Sequence, residues 1–210
     1  MTEIMEINNR TKNILSINMT EKEYFAHESS YIDEPCSIGS GTKIWHFSHI
    51  MRDVVIGKNC NIGQNVVMLS GVKVGDGVKI QNNVTLSNGC VIDDSVFIGP
   101  SVVFTNVTNP RSEIVRKNEY KQTIVNKGAT LGANSTIVCG HTIGKYAFVA
   151  AGSVVSTDIP DFGLVSGNPA RLVGYFCKCG ERLSFTDGES VCHACSRKYV
   201  KDQYGIVSEK

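Results

Sequence analysis

The chain has 210 residues and no apolar run near the ~18 residues that would cross a bilayer. It also has little excess charge. Its 21 Lys and Arg against 20 Asp and Glu leave a formal net charge of +1, which argues against a nucleic-acid partner or a polybasic membrane surface. The first stretch, 1–23, lacks an uninterrupted apolar block, so no signal peptide is expected. Without one, the eight cysteines read as reduced thiols or metal ligands in a cytoplasmic protein.

What the chain does have is a period of six. Ile38, Ile44, Ile50, Ile56, Ile62, Met68, Val74, Ile80, Leu86, Ile92, Ile98 and Phe104 form an unbroken apolar series. The series resumes at Val125, Leu131, Ile137, Ile143, Val149 and Val155. Neither a helix nor an alternating strand has this spacing. Four residues after each apolar position comes a small or β-branched one, and three after it Gly or Asn is favoured, types that tolerate positive φ. Each hexad therefore reads as a short strand followed by a sharp corner. Three hexads close one triangular coil, which stacks Ile44, Ile62, Ile80 and Ile98 about 4.8 Å apart. The pattern resembles the hexapeptide-repeat β-helix, and that resemblance implies a left-handed coil and a homotrimer of prisms. The expected fold class is an all-β, left-handed parallel β-helix with a small C-terminal zinc-ribbon-like appendage.

In this frame Cys36, Cys60 and Cys90 occupy the small inward slot and read as core. Asn83 reads as a corner residue. His141 falls in a small-residue slot, either as a strained core histidine or as a site residue. Between Phe104 and Val125 the count slips, and a charged segment, 110–123, is expected to leave the prism as a functional loop. The expected organisation is an N-terminal extension over 1–23, the β-helix over 24–174, a cysteine-rich ribbon over 175–200 and a tail over 201–210.

Five stretches carry a narrower likeness: KIWHFSHI (43–50), IQNNV (80–84), GPSVVFTNVTNPRS (99–112), KNEYKQTIVNKGATLGANSTIVCG (117–140) and GNPARLVG (167–174). They resemble the bacterial N-acetyltransferases that act on the 3-amino group of UDP-2-acetamido-3-amino-2,3-dideoxy-glucuronate in surface polysaccharide (lipopolysaccharide O-antigen) biosynthesis. Relatives that acetylate dTDP-linked 3-amino-6-deoxyhexoses share FTN and PRS, so that substrate is the alternative. The resemblance implies acetyl-CoA as cosubstrate and Asn106 as the residue touching the reacting amine. An asparagine carbonyl can orient an amine but cannot deprotonate it at neutral pH. The resemblance therefore implies direct attack on the thioester, with the coenzyme A sulfur as eventual proton acceptor. His46 is the competing choice, as a base. Gln64, Gln81 and Asn82 are the candidates for the nucleotide, and Arg111 for the uronate carboxylate or the pyrophosphate. Small residues that let pantetheine approach the backbone (Gly132, Ala133, Ala150, Ala151 and Gly152), together with Lys145 and Arg171 for its phosphates, are the candidates for acetyl-CoA.

After residue 174 the repeat stops. Cys177, Cys179, Cys192 and Cys195 form C-x-C-G and C-x-x-C pairs, joined by a hairpin with its turn near Asp187–Gly188. The spacing suggests a structural zinc ion, with His193 as a possible substitute ligand and free thiols or disulfides as the alternatives. Two other functions are weighed. A γ-type carbonic anhydrase on this fold needs an H-x-x-x-x-H pair that the five histidines do not form. A non-enzymatic scaffold or ice-binding surface does not call for an extruded charged loop.

Overall fold

The computed structural model describes residues 23–210, so the expected extension over 1–23 lies outside the described residues except for Glu23. From Phe25–Ala26 to Val154–Val155 the chain makes twenty strands of two or three residues. They are distributed seven, seven and six over the three faces of a left-handed parallel β-helix. Face one runs from Phe25–Ala26 to Phe148–Val149, face two from Tyr31–Ile32 to Val154–Val155, and face three from Ser37–Ile38 to Thr142–Ile143.

The isoleucine ladder is present in register. Ile44 pairs with Ile62, Ile62 with Ile80, and Ile80 with Ile98, each one coil above the last, and all four are fully buried. Each such side chain contributes about 1.5–3 kcal/mol of apolar burial. The small slot is filled as expected by Thr42, Ser48, Val54, Cys60, Val66 and Cys90, all buried. Burial pushes the Cys90 thiol up to about 12, as suits an inert core cysteine. Cys36 is only half-buried, because face three begins at Ser37–Ile38 with no rung beneath it. Asn83 turns its corner at φ 61°.

Two irregularities place the functional regions. On all three faces one step between neighbouring rungs spans far more chain than the three hexads of an ordinary coil: Ile92 pairs with Val125, Ile98 with Leu131 and Phe104 with Ile137. The surplus leaves the prism as a loop. It begins after Asn106 and ends at Lys121, whose N–H meets the Asn106 carbonyl at 2.9 Å. The expected span of 110–123 is thus shifted, because Thr123 is buried opposite Cys90 in the small slot. At the top the last coil is shortened slightly, with Phe148 opposite Leu164.

Beyond the last coil, Gly163–Gly167 and Ala170–Phe176 form an antiparallel pair that carries face one onward to Arg182–Leu183. Glu189–Val191, Lys198–Lys201 and Val207–Glu209 make a separate three-stranded antiparallel sheet. The segment 201–210 is therefore not a tail of its own, since Val207–Glu209 pairs with Lys198–Lys201. No helix among the described residues is long and apolar enough to cross a membrane.

Candidate functional site

The edge between faces two and three carries the excursion. Val103–Phe104 delivers Thr105 and Asn106 to this corner. Thr105 is tied inward, its Oγ1 accepting the Cys139 N–H at 2.9 Å from the coil above. By register Asn106 lies one coil above Asn88 and two above Ser70. The two asparagines differ in what they do. Asn88 donates its Nδ2–H to the Ser70 carbonyl at 2.9 Å, so its amide is committed to the stack. The half-buried Asn106 uses its backbone carbonyl for Lys121, and its carboxamide has no partner among the described residues. It lines a cavity of about 260 Å³ with Pro110, Arg111, Ile114, Arg116 and Tyr120.

The loop is internally organised. Arg111 and Ile114 form a small antiparallel bridge, and Lys117–Glu119 a 3-10 turn. Arg116 Nη1 donates to both Glu119 carboxylate oxygens, at 2.9 and 2.7 Å. Arg111, Lys117 and Lys121 make no ion pair among the described residues, and neither does Glu113. The surface beside Asn106 therefore offers three free cations against one free carboxylate, a field suited to a polyanionic ligand.

The histidines stand apart from this arrangement or are tied within it. His46 stacks on His27 with ring centroids 3.5 Å apart. His49 Nε2 is 3.1 Å from Asp33 Oδ2, three coils below the strand that carries Asn106. His141 is in the small slot directly above Thr123 but remains partly exposed. The slots beneath it hold Val54, Val72, Cys90 and Thr123, all buried, and the larger imidazole is displaced outward. Its Nδ1 lies 3.5 Å from Asp158 Oδ1, which also accepts the Thr142 N–H at 2.8 Å.

The edge between faces one and two gathers a second set. Gln64, Gln81, Asn82, Gly132, Ala133, Ala150, Ala151 and Gly152 all lie on it, the first three separated from the rest by the coil of Ile98. Asn82 has a structural task there, its Oδ1 accepting the Gln64 N–H at 2.9 Å. Asp76 does the same for Lys58 at 2.6 Å on another edge. Gly132 is explained by coil spacing alone, since an added Cβ would sit 2.5 Å from the Ala151 nitrogen. Gly132→Ala is expected to cost about 1–3 kcal/mol through this overpacking, measurable as a lowered denaturation midpoint without ligand. Lys145 is on the third edge, its N–H bound to Asp161 Oδ1 at 2.7 Å. Arg171 is exposed on Ala170–Phe176, its Nη1 donating to the Ala170 carbonyl at 3.1 Å. One chain thus brings the nucleotide candidates and most acetyl-CoA candidates to one edge, and holds Asn106 and Arg111 on the next.

The four appendage cysteines converge, their sulfurs all within 4.8 Å of one another. Cys177 and Cys195 are 3.4 Å apart, and Cys179 and Cys192 3.5 Å. These separations exceed an S–S bond of ~2.05 Å and approach the ~3.8 Å edge of a tetrahedron with ~2.3 Å zinc–sulfur bonds. The residues therefore fit a zinc ion, held by all four sulfurs. His193 is not part of the cluster; its Nε2 lies 3.6 Å from Glu181. Each knuckle closes on a backbone turn, a three-residue step from the Gly180 N–H to the Cys177 carbonyl and a four-residue step from the Ser196 N–H to the Cys192 carbonyl, each at 2.9 Å. The Arg197 N–H pulls the Cys195 thiol down to about 6, and Arg197 Nη1 donates to its sulfur at 3.3 Å. The joining hairpin turns at Asp187 and Gly188, with φ 51° and 79°, the geometry of a two-residue type I′ connection.

Comparison with known proteins agrees with this fold. The profile of bacterial transferase hexapeptide (six repeats) matches residues 35–70 and 71–106. That of the hexapeptide repeat of succinyl-transferase matches 53–88 and 122–157. The chain is 49% identical over 185 residues, 88% of its length and 94% of the relative's, to dTDP-3-amino-3,6-dideoxy-alpha-D-galactopyranose 3-N-acetyltransferase of Aneurinibacillus thermoaerophilus. In fold it is similar to the D94A mutant of AntD, an N-acyltransferase from Bacillus cereus solved with dTDP and coenzyme A. That match has a TM-score of 0.53 and 18% identity over 80% of this chain and 89% of that one. The acetyltransferase domain of PglB from Neisseria gonorrhoeae, solved with acetyl coenzyme A, gives a TM-score of 0.51 and 19% identity over 80% and 66%. The chain belongs to the hexapeptide-repeat acetyltransferases. Within them it is an N-acetyltransferase that uses acetyl-CoA.

Proposed function

We propose that this enzyme acetylates the 3-amino group of a dTDP-linked 3-amino-3,6-dideoxyhexose. The observation that carries this reading is the 49% identity, over nearly the full length of both chains, to an enzyme named for that reaction. It reverses the order expected from the motifs, which put the UDP-linked uronate first. The amine lone pair attacks the thioester carbon, the C–S bond breaks, and the proton lost by nitrogen ends on the coenzyme A sulfur. Asn106 orients the amine through its unengaged carboxamide, and nothing in this step needs a covalent enzyme intermediate.

In a homotrimer of side-by-side prisms, the edge carrying Gln64, Asn82 and Ala150 of one copy meets the Asn106 loop of the next. The two half-sites are then completed across the groove, with acetyl-CoA lying along the upper coils. A 6-deoxyhexose carries no carboxylate, so Arg111 is assigned to the pyrophosphate. Arg111→Ala is expected to raise the KM for the nucleotide sugar by about tenfold or more and to leave the KM for acetyl-CoA unchanged. An unchanged sugar KM would remove that assignment. The reading as a whole is tested by thiol release from acetyl-CoA against dTDP-3-amino-3,6-dideoxygalactose, its gluco epimer, UDP-3-amino-glucose and the UDP-3-amino-uronate. The highest kcat/KM is expected with a dTDP sugar. A higher value with the uronate would overturn the choice of substrate.

A further inference from the structure

The top of a solenoid exposes core and unpaired backbone unless something covers it. Here Gly163–Gly167 adds one more parallel rung to face one, Ala170–Phe176 turns back along it, and the cysteine ribbon follows directly from them. The seam between coil and ribbon is aromatic. Tyr146 and Phe162 sit at φ 55° and 61°, in corner slots that most coils fill with Gly, Asn, Asp or Ser. Bulky residues in that region cost about 1–2 kcal/mol each. Their rings stack at 5.8 Å, and Phe162 meets Tyr199 edge-on at 5.3 Å. Tyr199 is fully enclosed, and its hydroxyl lies 3.1 Å from Cys177 Sγ while accepting the Lys178 N–H at 3.1 Å. The ribbon's own core, Leu183, Tyr199 and Val207 with Cys177 and Cys192, is too small to hold its shape unaided.

The same seam reaches the residues expected to meet acetyl-CoA. The Ala150 N–H donates to the Val165 carbonyl at 2.9 Å, and the Phe162 N–H to the Lys145 carbonyl at 2.8 Å.

We propose that Cys177, Cys179, Cys192 and Cys195 bind one zinc ion, and that the metal-bound ribbon is the end cap of the β-helix, seated through Tyr199, Phe162 and Tyr146. Zinc occupancy then fixes the last coil and tightens acetyl-CoA binding without taking part in the chemistry. Each ligating thiol gives its proton to solvent as its sulfur–zinc bond forms, and four thiolates leave no position open for substrate. The acetyl-CoA part of this inference rests on the function proposed above; the metal and cap parts do not.

The test uses the full chain purified without chelator. Elemental analysis is expected to find one zinc per chain, and cobalt exchange to give the absorption of a tetrahedral thiolate site. Removing the metal with a mercurial and chelator is expected to raise amide hydrogen exchange over 142–166 and 175–209, while the coils below Asn106 stay protected. The KM for acetyl-CoA is expected to rise about fivefold or more at unchanged nucleotide-sugar KM. Phe162→Ala is expected to keep the zinc yet release the last coil in the same exchange measurement, separating the seat from the metal. A chain that carries no zinc and takes up no cobalt overturns the metal site. Zinc loss that leaves exchange over 142–166 unchanged overturns the cap. Absence of acetyl transfer by the zinc-loaded wild type would count against the proposed function alone, since the zinc and exchange readouts stand without it.

Discussion

Asn106→Ala is expected to lower kcat by about a hundredfold or more, with the fold and the KM for acetyl-CoA unchanged. The size of the effect follows from what the side chain does and does not hold. Its carboxamide has no partner among the described residues, so truncation breaks no hydrogen bond of the prism. The bond that closes the loop neck, from the Lys121 N–H, goes to the backbone carbonyl, which alanine retains. Under the proposed function only the orientation of the amine is lost, and a misplaced nucleophile costs rate rather than stability. Asn88→Ala is the matched control. It removes a hydrogen bond to the Ser70 carbonyl and should lower stability by about 1 kcal/mol with little effect on kcat. His46→Asn separates the competing mechanism: His46 stacks on His27 far below Asn106, and loss of the imidazole should leave kcat near wild type. Steady-state kinetics with denaturant unfolding of the three variants decides. Full turnover in Asn106→Ala would reject the assignment, and a collapse of kcat in His46→Asn would favour a histidine base.

The prism was legible because its code is local and redundant. One apolar residue, one small slot and one corner recur every six positions, and the ladder from Ile44 to Ile98 depends on nothing distant. The interruption was legible for the same reason, since a break in a strict count is visible. Its limits were not, because Thr123 reads as part of a polar segment until its register with Cys90 returns it to the small slot. Gly132 shows the converse difficulty. A glycine needed for close approach of two coils looks the same in sequence as one that leaves room for a cosubstrate. Tyr146 and Phe162 carried a signal that the hexad reading passed over. Aromatics in corner slots are poor corners, and their explanation lies in the ribbon packed on them. The division of the candidates between two edges follows from the triangular cross-section, which puts Gln64, Asn82 and Ala150 at one corner and Asn106 at the next. The choice of sugar was out of reach of the motifs, since FTN and PRS serve more than one nucleotide sugar.

Deletion of 107–121 is expected to give a folded enzyme with less than about a thousandth of wild-type kcat/KM. The register dictates this excision. Removing that span returns the interrupted step to the spacing of an ordinary coil, so Cys90 still pairs with Thr123, Ile98 with Leu131 and Phe104 with Ile137. Asn106 then joins Gln122 directly, and the corner has the length of every coil beneath it. No buried apolar side chain lies within the deleted span, so the core is unchanged, and a shorter loop also lowers closure entropy. What disappears is the wall of the cavity beside Asn106, built from Arg111, Ile114, Arg116 and Tyr120, and the free cations Arg111, Lys117 and Lys121. Under the proposed function, Asn106 would remain in place with nothing to hold the pyrophosphate or to exclude water from the thioester. Circular dichroism and the unfolding midpoint should match wild type while thiol release with the dTDP sugar falls to background. Substantial turnover by the deleted chain would show that the prism edge alone binds and aligns the acceptor. Failure to fold would mean that the loop, and not only the hexads, is needed to close this coil.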